Sequence, residues 1–419
     1  MTGLVPKSFY DANETRDPAE RETALMAGLP RVIAAAKEAA PAYRERLARI
    51  DPATIDNRAA LAELPLTRKS ELITLQRQNP PFGGFTTIGL GDIGRVFASP
   101  GPIYEIEARR PDFFRMVRAL WAAGIRAGDL IHNCFSYHLT PAGAMFESAA
   151  FALGCPVIPA GTGQTELQLK TIADLRPVAY VGTPSFLKIL LDRAAETGID
   201  IGSIKKAEVG AEAFPAVLRN DFRANGINAL QCYGTADVGL ISYETMTADG
   251  EVCEGMMVDE GVILELVEPG SGIPVAPNEV GEVVVTTLTP EYPLIRFATG
   301  DLSALLTEPS PCGRTNQRIK GWLGRADQSA KVRGMFVHPL QVVEIARRHP
   351  AVRRARLVIE RPASADVMTL MVETTASDEA EALAATAQAV TKLRTAVSCV
   401  APGSLPEDGR LIEDRRPIG

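Results

Sequence analysis

Apolar and polar residues alternate in blocks between Gly91 and about Tyr243. Five short apolar runs are typical of buried strands: 130–135, 156–159, 178–181, 207–209 and 230–233. Longer stretches with helical spacing lie around them: 112–123, 142–153, 165–175, 184–196 and 215–225. Alternation of this kind favours parallel βαβ units, in which ligands bind at the carboxyl ends of the strands.

The residues on either side of this block have different patterns. Residues 1–80 are charged and helical in spacing, and Pro30 and Pro41 are expected to break them into short helices. Residues 261–268 and 280–288 are β-branched around a Pro-Gly-Ser-Gly turn, which predicts a β-ribbon or a small barrel. A short β–α–β–β–α pattern follows residue 327. We therefore expect two domains, 1–326 and 327–419, with a hinge near Asp327.

The composition is that of an ordinary globular protein, with 46% hydrophobic and 23% charged residues. The 44 Lys and Arg against 51 Asp and Glu give a net charge of −7, which argues against nucleic-acid binding through bulk electrostatics. The N-terminus has no signal-peptide pattern, no run of 18 apolar residues occurs, and six cysteines are scattered. These features predict a cytoplasmic protein with reduced thiols and no membrane span.

The stretch between Arg296 and Pro339 combines residues suited to a nucleotide. Asp301 follows a glycine, where its carboxylate can accept hydrogen bonds from the two hydroxyls of a ribose. Cations alternate with glycines through the rest of the stretch, and a guanidinium can bind phosphate bidentately while bare backbone lets the anion approach. This pairing of a diol-binding and a phosphate-binding chemistry suggests a nucleotide ligand.

Several motifs occur in an order that resembles the phenylacetate–CoA ligase family of the adenylate-forming enzymes. They are LAELPLTRKSEL (61–72), VGAEAF (209–214), QCYGTADVG (231–239), EVGEVVVTTLTPEYPLIRFATGDLS (279–303), PCGRTNQRI (311–319) and GRADQSAKVRGMFVHPLQVVEI (324–345). An ordered set over most of the chain is far more specific than any single motif. The resemblance implies an α/β protein with a large N-terminal domain of parallel βαβ sheets, a small β-rich subdomain and a small mobile α+β C-terminal domain.

The resemblance also implies an activity and its cofactors. Such enzymes activate a carboxylic acid with ATP and Mg²⁺ to an acyl-adenylate, release pyrophosphate, and pass the acyl group to coenzyme A. The partners implied are a small-molecule carboxylic acid and, since members of this family often form dimers, a homodimer.

Eight nucleotide-binding positions and one Mg²⁺-associated position carry over from the family. By resemblance Tyr233 stacks on adenine, Asp301 binds the ribose, and Arg325 contacts ribose and phosphate. Asp237 occupies the position of a Mg²⁺-associated glutamate, from which a shorter carboxylate can reach the ion through water. The turn of Gly210, Ala211 and Glu212 lines the adenine and acyl pockets, and Gly234 and Thr235 are further nucleotide-binding positions. For each of these positions a plain strand-end turn is the alternative.

Two further groups of residues carry over from the family. Asp327 matches the hinge, and Lys331, Arg333 and Gly334 match the loop that forms the pantetheine tunnel after the C-terminal domain rotates. Phe135, Tyr137 and His138 follow a predicted strand where the family places its acyl pocket, and an aromatic wall suits a flat aryl acid. Core aromatic residues and a charged surface hairpin are the respective alternatives.

The chain departs from the family pattern at two places. The phosphate loop, 97–104, keeps only Ser99 and Gly101, while Pro100 and Pro102 each remove a backbone donor. Either Tyr104 or a nearby arginine (Arg95, Arg109 or Arg110) compensates for this loss, or ATP binds weakly. At the C-terminus, Arg410 stands where the family has a lysine that bridges the carboxylate and the α-phosphate, and the larger planar head predicts slower adenylation.

Cys253 and Cys312 lie where some relatives carry a metal-binding cluster. Too few ligands surround them for a structural zinc site, so we expect free thiols.

These observations favour an ATP-dependent ligase that joins an aromatic or similarly flat carboxylic acid to coenzyme A. Two alternatives stay open. One is an adenylating enzyme with a different acceptor, and the other is a relative with impaired catalysis that binds a nucleotide or an acyl-CoA.

Overall fold

The computed structural model describes residues 8–99, 102–332, 335–360, 366–375 and 380–416 of the 419-residue chain. Its α-helices are α1 (Pro18–Ala39), α2 (Pro41–Arg46), α3 (Arg58–Ala62), α4 (Lys69–Gln78), α5 (Val117–Ala122), α6 (Ala142–Leu153), α7 (Thr165–Leu175), α8 (Pro184–Thr197), α9 (Ala216–Ala224), α10 (Pro339–Arg347) and α11 (Ala380–Thr391). Short 3-10 turns lie at Ala12–Thr15, Pro52–Thr54, Leu90–Asp92 and Ala326–Gln328.

The strands form one large sheet and several small ones. They are β1 (Thr67–Arg68), β2 (Ile93–Ser99), β3 (Ile103–Ala108), β4 (Ile131–Asn133), β5 (Val157–Pro159), β6 (Ala179–Gly182), β7 (Lys206–Val209), β8 (Asn228–Thr235), β9 (Gly239–Tyr243), β10 (Met256–Val258), β11 (Val262–Val267), β12 (Val280–Thr287), β13 (Phe297–Leu306), β14 (Arg318–Ile319), β15 (Ala330–Val332), β16 (Met335–Val337), β17 (Arg354–Glu360), β18 (Val367–Glu373), β19 (Ala396–Val400) and β20 (Ile412–Asp414).

The large sheet contains the predicted βαβ units. Its strand order is β11-β12-β13-β14-β10-β9-β8-β7-β6-β4-β5, and β1 pairs in parallel with β13. The segment β5-β4-β6-β7-β8 is parallel throughout, as the alternating pattern predicts. Helices α6 and α7 span the residues expected from their spacing.

The β-rich stretch is an antiparallel ribbon of β11 and β12, with Val262 opposite Thr287. The ribbon joins the large sheet through β13 instead of closing into a barrel. Its strands are buried on both faces, which explains their continuous apolar runs.

Two helix predictions are wrong. Pro30 lies inside α1, because the buried face of that helix, with Leu29 and Ile33 wholly inaccessible, holds the backbone helical despite the lost hydrogen bond. The helix predicted from residue 112 begins only at Val117. Asp112 and Arg115 both have positive φ angles, and the Asp112 carboxylate instead accepts a hydrogen bond from the Val117 N–H.

The chain divides into two compact units. The first comprises Met1–Val267, Gly272–Thr299 and Ala304–Gly321, and the second Glu268–Ser271, Gly300–Ser303 and Trp322–Gly419. The second unit contains a four-stranded sheet of order β19-β18-β17-β20, a β15–β16 hairpin, and helices α10 and α11. Its core is separate from that of the first unit. The sequence pattern anticipated α10, β17, β18 and α11, but it read residues 330–337 as one strand instead of the paired β15 and β16, and it missed β19 and β20. The hinge at Asp327 stays a prediction.

Candidate active site

A cavity of about 580 Å³ lies beyond the carboxyl ends of the parallel strands in the first unit. Residues that directly follow β4, β6, β7 and β8 line it: Cys134, Phe135, Ser136, Thr183, Ser185, Gly210, Ala211 and Ala236. Ser99 lines it from the end of β2, and Gly234 and Thr235 line it as the last two residues of β8. The cavity therefore brings together six of the sequence-predicted residues of this unit: Ser99, Phe135, Gly210, Ala211, Gly234 and Thr235.

One end of the cavity is apolar and aromatic. The rings of Phe135 and Phe146 stack with centroids 5.0 Å apart and planes 10° apart. Met116, Met145, Phe186 and Ile189 complete this wall. Among the described residues, the lining contains no Lys, Arg, His, Asp or Glu. Such a surface suits an uncharged flat group.

Tyr137 and His138 differ from Phe135, because neither is part of the described lining of the cavity. The Tyr137 hydroxyl accepts a hydrogen bond from Asn133 Nδ2 at 2.8 Å, and its ring packs against Gly143 at the start of α6. Burial raises the pKa of the Tyr137 hydroxyl, and the nearby Glu147 carboxylate raises it further. His138 is exposed. Of the three predicted acyl-pocket residues, only Phe135 therefore lines the cavity.

The Gly210-Ala211-Glu212 turn follows β7. Gly210 packs its backbone against the side chains of Cys232 and Phe135, and Ala211 has a positive φ of 67°. A non-glycine residue in that conformation is uncommon and typical of tight functional turns. The exposed Glu212 carboxylate accepts a hydrogen bond from the Ser185 N–H at 2.8 Å, at the start of α8, so it stabilises that helix terminus.

Residues 233–237 comprise the end of β8 and the start of the turn to β9. Tyr233 is buried, and its hydroxyl lies 3.5 Å from Thr299 Oγ1. A Cβ on Gly234 would lie 2.5 Å from the Gly239 carbonyl oxygen, so only glycine allows this approach. The ladder shifts register between Tyr233 and Gly234, and such bulges commonly redirect side chains next to active sites.

Asp237 makes an ion pair that the sequence did not reveal. Its Oδ2 accepts a hydrogen bond from Lys69 Nζ at 2.5 Å. The Asp237 side chain is fully buried, whereas the Lys69 side chain is 25% exposed. Lys69 is the first residue of α4, directly after β1, which pairs with β13 at Phe297 and Ala298. The ammonium therefore stands between the buried carboxylate and solvent.

Glu105 is a second buried carboxyl beside Asp237. Burial, and next the negative charge of Asp237, raise the pKa of Glu105 to about 8, while contacts with Ser99 and Lys69 oppose that rise. The Ser99 hydroxyl donates a short hydrogen bond to Glu105. Oδ1 of Asp237 and Oε2 of Glu105 are buried without a hydrogen-bond partner among the described residues.

Asp237 Oδ1 is the kind of oxygen that can serve as a Mg²⁺ ligand, whereas the raised pKa of Glu105 favours its protonated form near neutral pH. Mg²⁺ is usually bound by one or two carboxylates, with waters and substrate phosphates completing the shell. The described residues contain no group of three or more His, Cys, Asp and Glu able to hold a metal by themselves. A metal at Asp237 would therefore depend on its nucleotide.

The predicted phosphate loop is a β-hairpin of β2 and β3, with Ser99 opposite Ile103. Gly101 and Pro100 lie outside the described residues. The Tyr104 side chain is exposed, while its backbone N–H and C=O are hydrogen bonded to the Gln76 side chain.

The arginines expected to compensate for this loop face other partners. Arg95 pairs with Glu107, and Arg110 pairs with Glu291. Together with Arg109 they line a separate surface cavity.

In the second unit, Asp301 and Arg325 lie together. Arg325 Nη1 and Trp322 Nε1 donate hydrogen bonds to Asp301 Oδ1 at 2.9 and 3.0 Å. Gly300 permits this arrangement, because a Cβ there would lie 2.7 Å from the Arg325 guanidinium. The structure thus brings the predicted ribose-binding and phosphate-binding residues into direct contact.

The other C-terminal candidates are less fully described. Asp327 lies in a 3-10 turn and Lys331 in β15, but their side chains lie outside the described residues, as do Arg333 and Gly334. Arg410 is exposed just before β20, and its backbone N–H donates a hydrogen bond to the Asp408 carboxylate at 3.0 Å.

Sequence reasoning missed Lys69, Glu105 and Phe146. Lys69 could have been predicted as a site residue, because it is part of the LAELPLTRKSEL motif. Nothing in the neighbouring sequence, however, indicates that its partner is Asp237, 168 residues further along the chain. Glu105 and Phe146 carry no motif at all.

Cys253 and Cys312 are free thiols, as are the other four cysteines.

No helix in the described part of the chain is long and apolar enough to cross a membrane.

Comparison with known proteins gives related sequences and related folds. A family model described as "AMP-binding enzyme" matches residues 114–289. The phenylacetate-coenzyme A ligase of Thermus thermophilus is 33% identical over 372 residues, which cover 85% of this chain and 82% of that protein. The Escherichia coli K12 protein of the same name is 30% identical, with 81% and 79% covered.

A solved structure of 2-hydroxyisobutyryl-CoA ligase, in an open conformation with 2-HIB-AMP and CoA, has a similar fold. The TM-score is 0.87 at 23% identity, and the alignment covers 99% of this chain and 96% of that one.

Proposed function

Because this chain belongs to the phenylacetate–coenzyme A ligase family, we propose that it joins an aromatic or similarly flat carboxylic acid to coenzyme A. The reaction is ATP-dependent and proceeds through an acyl-adenylate. A carboxylate oxygen attacks the α-phosphorus of ATP and pyrophosphate leaves. The thiol of coenzyme A then attacks the acyl carbon, and AMP leaves with the carboxylate oxygen.

The single observation that carries the choice of acid is the aromatic end of the cavity. Phe135 and Phe146 present stacked rings, and the described lining has no charged side chain. An aryl group can stack there and bury its apolar surface. A second charged group on the acid would be buried without a partner, which is costly.

We propose that the nucleotide is held by the residues named from the resemblance. Asp301 accepts hydrogen bonds from the ribose, with Arg325 and Trp322 fixing its orientation. Tyr233 and the 210–212 turn bound the adenine site, and Asp237 holds Mg²⁺, which would neutralise charge on the phosphates. A hinge at Asp327, a swinging loop with Lys331, Arg333 and Gly334, a homodimer and a cytoplasmic location stay predictions.

The test is a screen of aryl, indolyl and short aliphatic acids with ATP, Mg²⁺ and coenzyme A. Pyrophosphate release and the mass of the thioester are read together. We expect both products with an aryl acid and little with a dicarboxylic acid. Pyrophosphate without thioester would indicate another acceptor. Nucleotide binding without either product would indicate a relative with impaired catalysis, and turnover restricted to aliphatic acids would contradict the aromatic assignment.

A further inference from the structure

A cation lies next to residues that line the cavity, although it is not itself part of the described lining, and it belongs neither to the phosphate loop nor to the nearby arginines. Lys69 Nζ lies 2.5 Å from Asp237 Oδ2. Asp237 directly follows Ala236, which lines the cavity, and Ser99 lines it beside Glu105. Lys69 therefore lies one residue removed from the lining of the cavity, which Ser99 of the degenerate phosphate hairpin also lines.

The described residues of the hairpin offer few donors for phosphate. Pro102 has no N–H, and the Ser99 hydroxyl already donates to Glu105. Arg95 and Arg110 are paired with carboxylates at a different surface cavity. A triphosphate bound here still needs positive charge, since an anion leaving water must be paired.

Lys69 has the position and the freedom to supply that charge. Its backbone is fixed, because β1 pairs with β13 and because Gln76 joins α4 to the backbone of Tyr104. Its side chain remains partly exposed at 25%, and a four-carbon stem lets an ammonium shift between neighbouring anions. Once Lys69 moves to phosphate, Asp237 becomes free to face a metal ion.

We propose that Lys69 binds the pyrophosphate portion of ATP, and that Asp237 holds its ammonium in place until the nucleotide arrives. This role replaces the hydroxyl and lysine contacts that the proline-containing hairpin lacks. It rests on the proposed function, because it assumes that ATP enters this cavity.

Direct binding tests the proposal without relying on turnover. Calorimetry would measure the affinity of wild type and Lys69→Met for α,β-methylene-ATP and for AMP. We expect Lys69→Met to weaken the triphosphate at least about tenfold, about 1.4 kcal/mol, and to leave AMP within about twofold. Lys69→Arg should fall in between. Arg77→Met is the matched control, because Arg77 is an exposed cation on the same helix, and it should bind both nucleotides like wild type.

A double-mutant cycle separates this role from a structural one. In Asp237→Asn the ion pair is already lost, so adding Lys69→Met can act only through the ligand. A further loss of triphosphate affinity in the double variant is expected. The double variant also provides the test if Lys69→Met alone misfolds because the buried Asp237 carboxylate is left unpaired.

Two results would overturn the role of Lys69: unchanged triphosphate affinity on removing it, or an equal loss for AMP. The proposed function is tested separately, by the formation of pyrophosphate and thioester in wild type. If wild type forms both products, the proposed function stands even when either of these results rules out a role for Lys69. Wild type that bound neither nucleotide would contradict both proposals.

Discussion

The two ends of the cavity are built in opposite ways. At the aromatic end, Phe135 and Phe146 come from adjacent segments, a strand end and the following helix, and they pack as ordinary core residues do. At the polar end, Ser99 lines the cavity, and the charged residues Lys69, Glu105 and Asp237 lie behind the lining and come from distant parts of the chain. The first end depends on shape and burial, and the second on pairing charges that would otherwise be buried alone.

The difference extends to the buried carboxyls. Asp237 has Lys69 as its partner. Glu208, on β7, is buried next to Cys232 with both oxygens lacking a hydrogen-bond partner among the described residues. Asp237 forms an ion pair, whereas Glu208 forms none among the described residues and only feels the charge of Arg219, so the two carboxyls should respond differently to substitution and to pH.

The largest effect should come from the polar end. Asp237→Ala removes both the carboxylate proposed to hold Mg²⁺ and the partner of Lys69. We expect ATP–pyrophosphate exchange to fall about 100-fold to about 1,000-fold, the scale seen when one preorganised electrostatic group is lost. Asp237→Glu keeps the carboxylate and should retain most of the exchange. Exchange within a few-fold of wild type in Asp237→Ala would remove Asp237 from the chemistry.

At the aromatic end, Phe135→Ala should act on the acid and not on the nucleotide. We expect the KM for an aryl acid to rise about tenfold or more, with the affinity for AMP unchanged. Stability should also fall by about 3–5 kcal/mol, because a buried stacked ring is lost. Phe151→Ala is the control, since Phe151 is an exposed ring on α6, the helix that carries Phe146. A parallel loss of acid and nucleotide binding would show that the two ends are not separate.

A pH experiment sharpens the contrast between the carboxyls. Burial raises the pKa of Glu208 well above its usual range, so the folded protein keeps a proton that the unfolded chain loses above about pH 4.3. Stability attributable to this group is therefore present at low pH and falls as pH rises, by up to about 1.4 kcal/mol per pH unit.

Urea unfolding between about pH 5 and about pH 7 measures this slope. Glu208→Gln has no carboxyl proton to lose at this position. The slope of its unfolding free energy against pH should therefore be smaller than that of wild type, by up to about 1.4 kcal/mol per pH unit. The exposed Glu45→Gln should keep the slope of wild type. Equal slopes for wild type and Glu208→Gln would mean that Glu208 is ionised in the folded protein.

The smallest expected effect concerns Arg410 in the second unit. A lysine is a more compact charge than a guanidinium and fits a site that needs a point charge. Arg410→Lys should raise ATP–pyrophosphate exchange several-fold while leaving AMP affinity unchanged. No change, or a loss, would contradict the view that Arg410 slows adenylation.

The sequence predicted the parallel strands, their helices and the residues at the strand ends, because these follow from local periodicity and from ordered motifs. Phe135 and the 210–212 turn were accessible in that way. The Lys69–Asp237 pair was not, because it depends on β1 pairing with β13 far along the chain. Pro30 and Asp112 show the same limit, since burial of α1 and positive φ angles at 112 and 115 override the local signals.

Isotope transfer tests the central claim, activation through an acyl-adenylate, most directly. The wild-type protein would convert an aryl acid labelled with ¹⁸O in its carboxylate, in the presence of ATP, Mg²⁺ and coenzyme A. The account predicts AMP that carries one labelled oxygen on its phosphorus, formed together with the thioester. Thioester accompanied by unlabelled AMP, or by labelled inorganic phosphate, would contradict it.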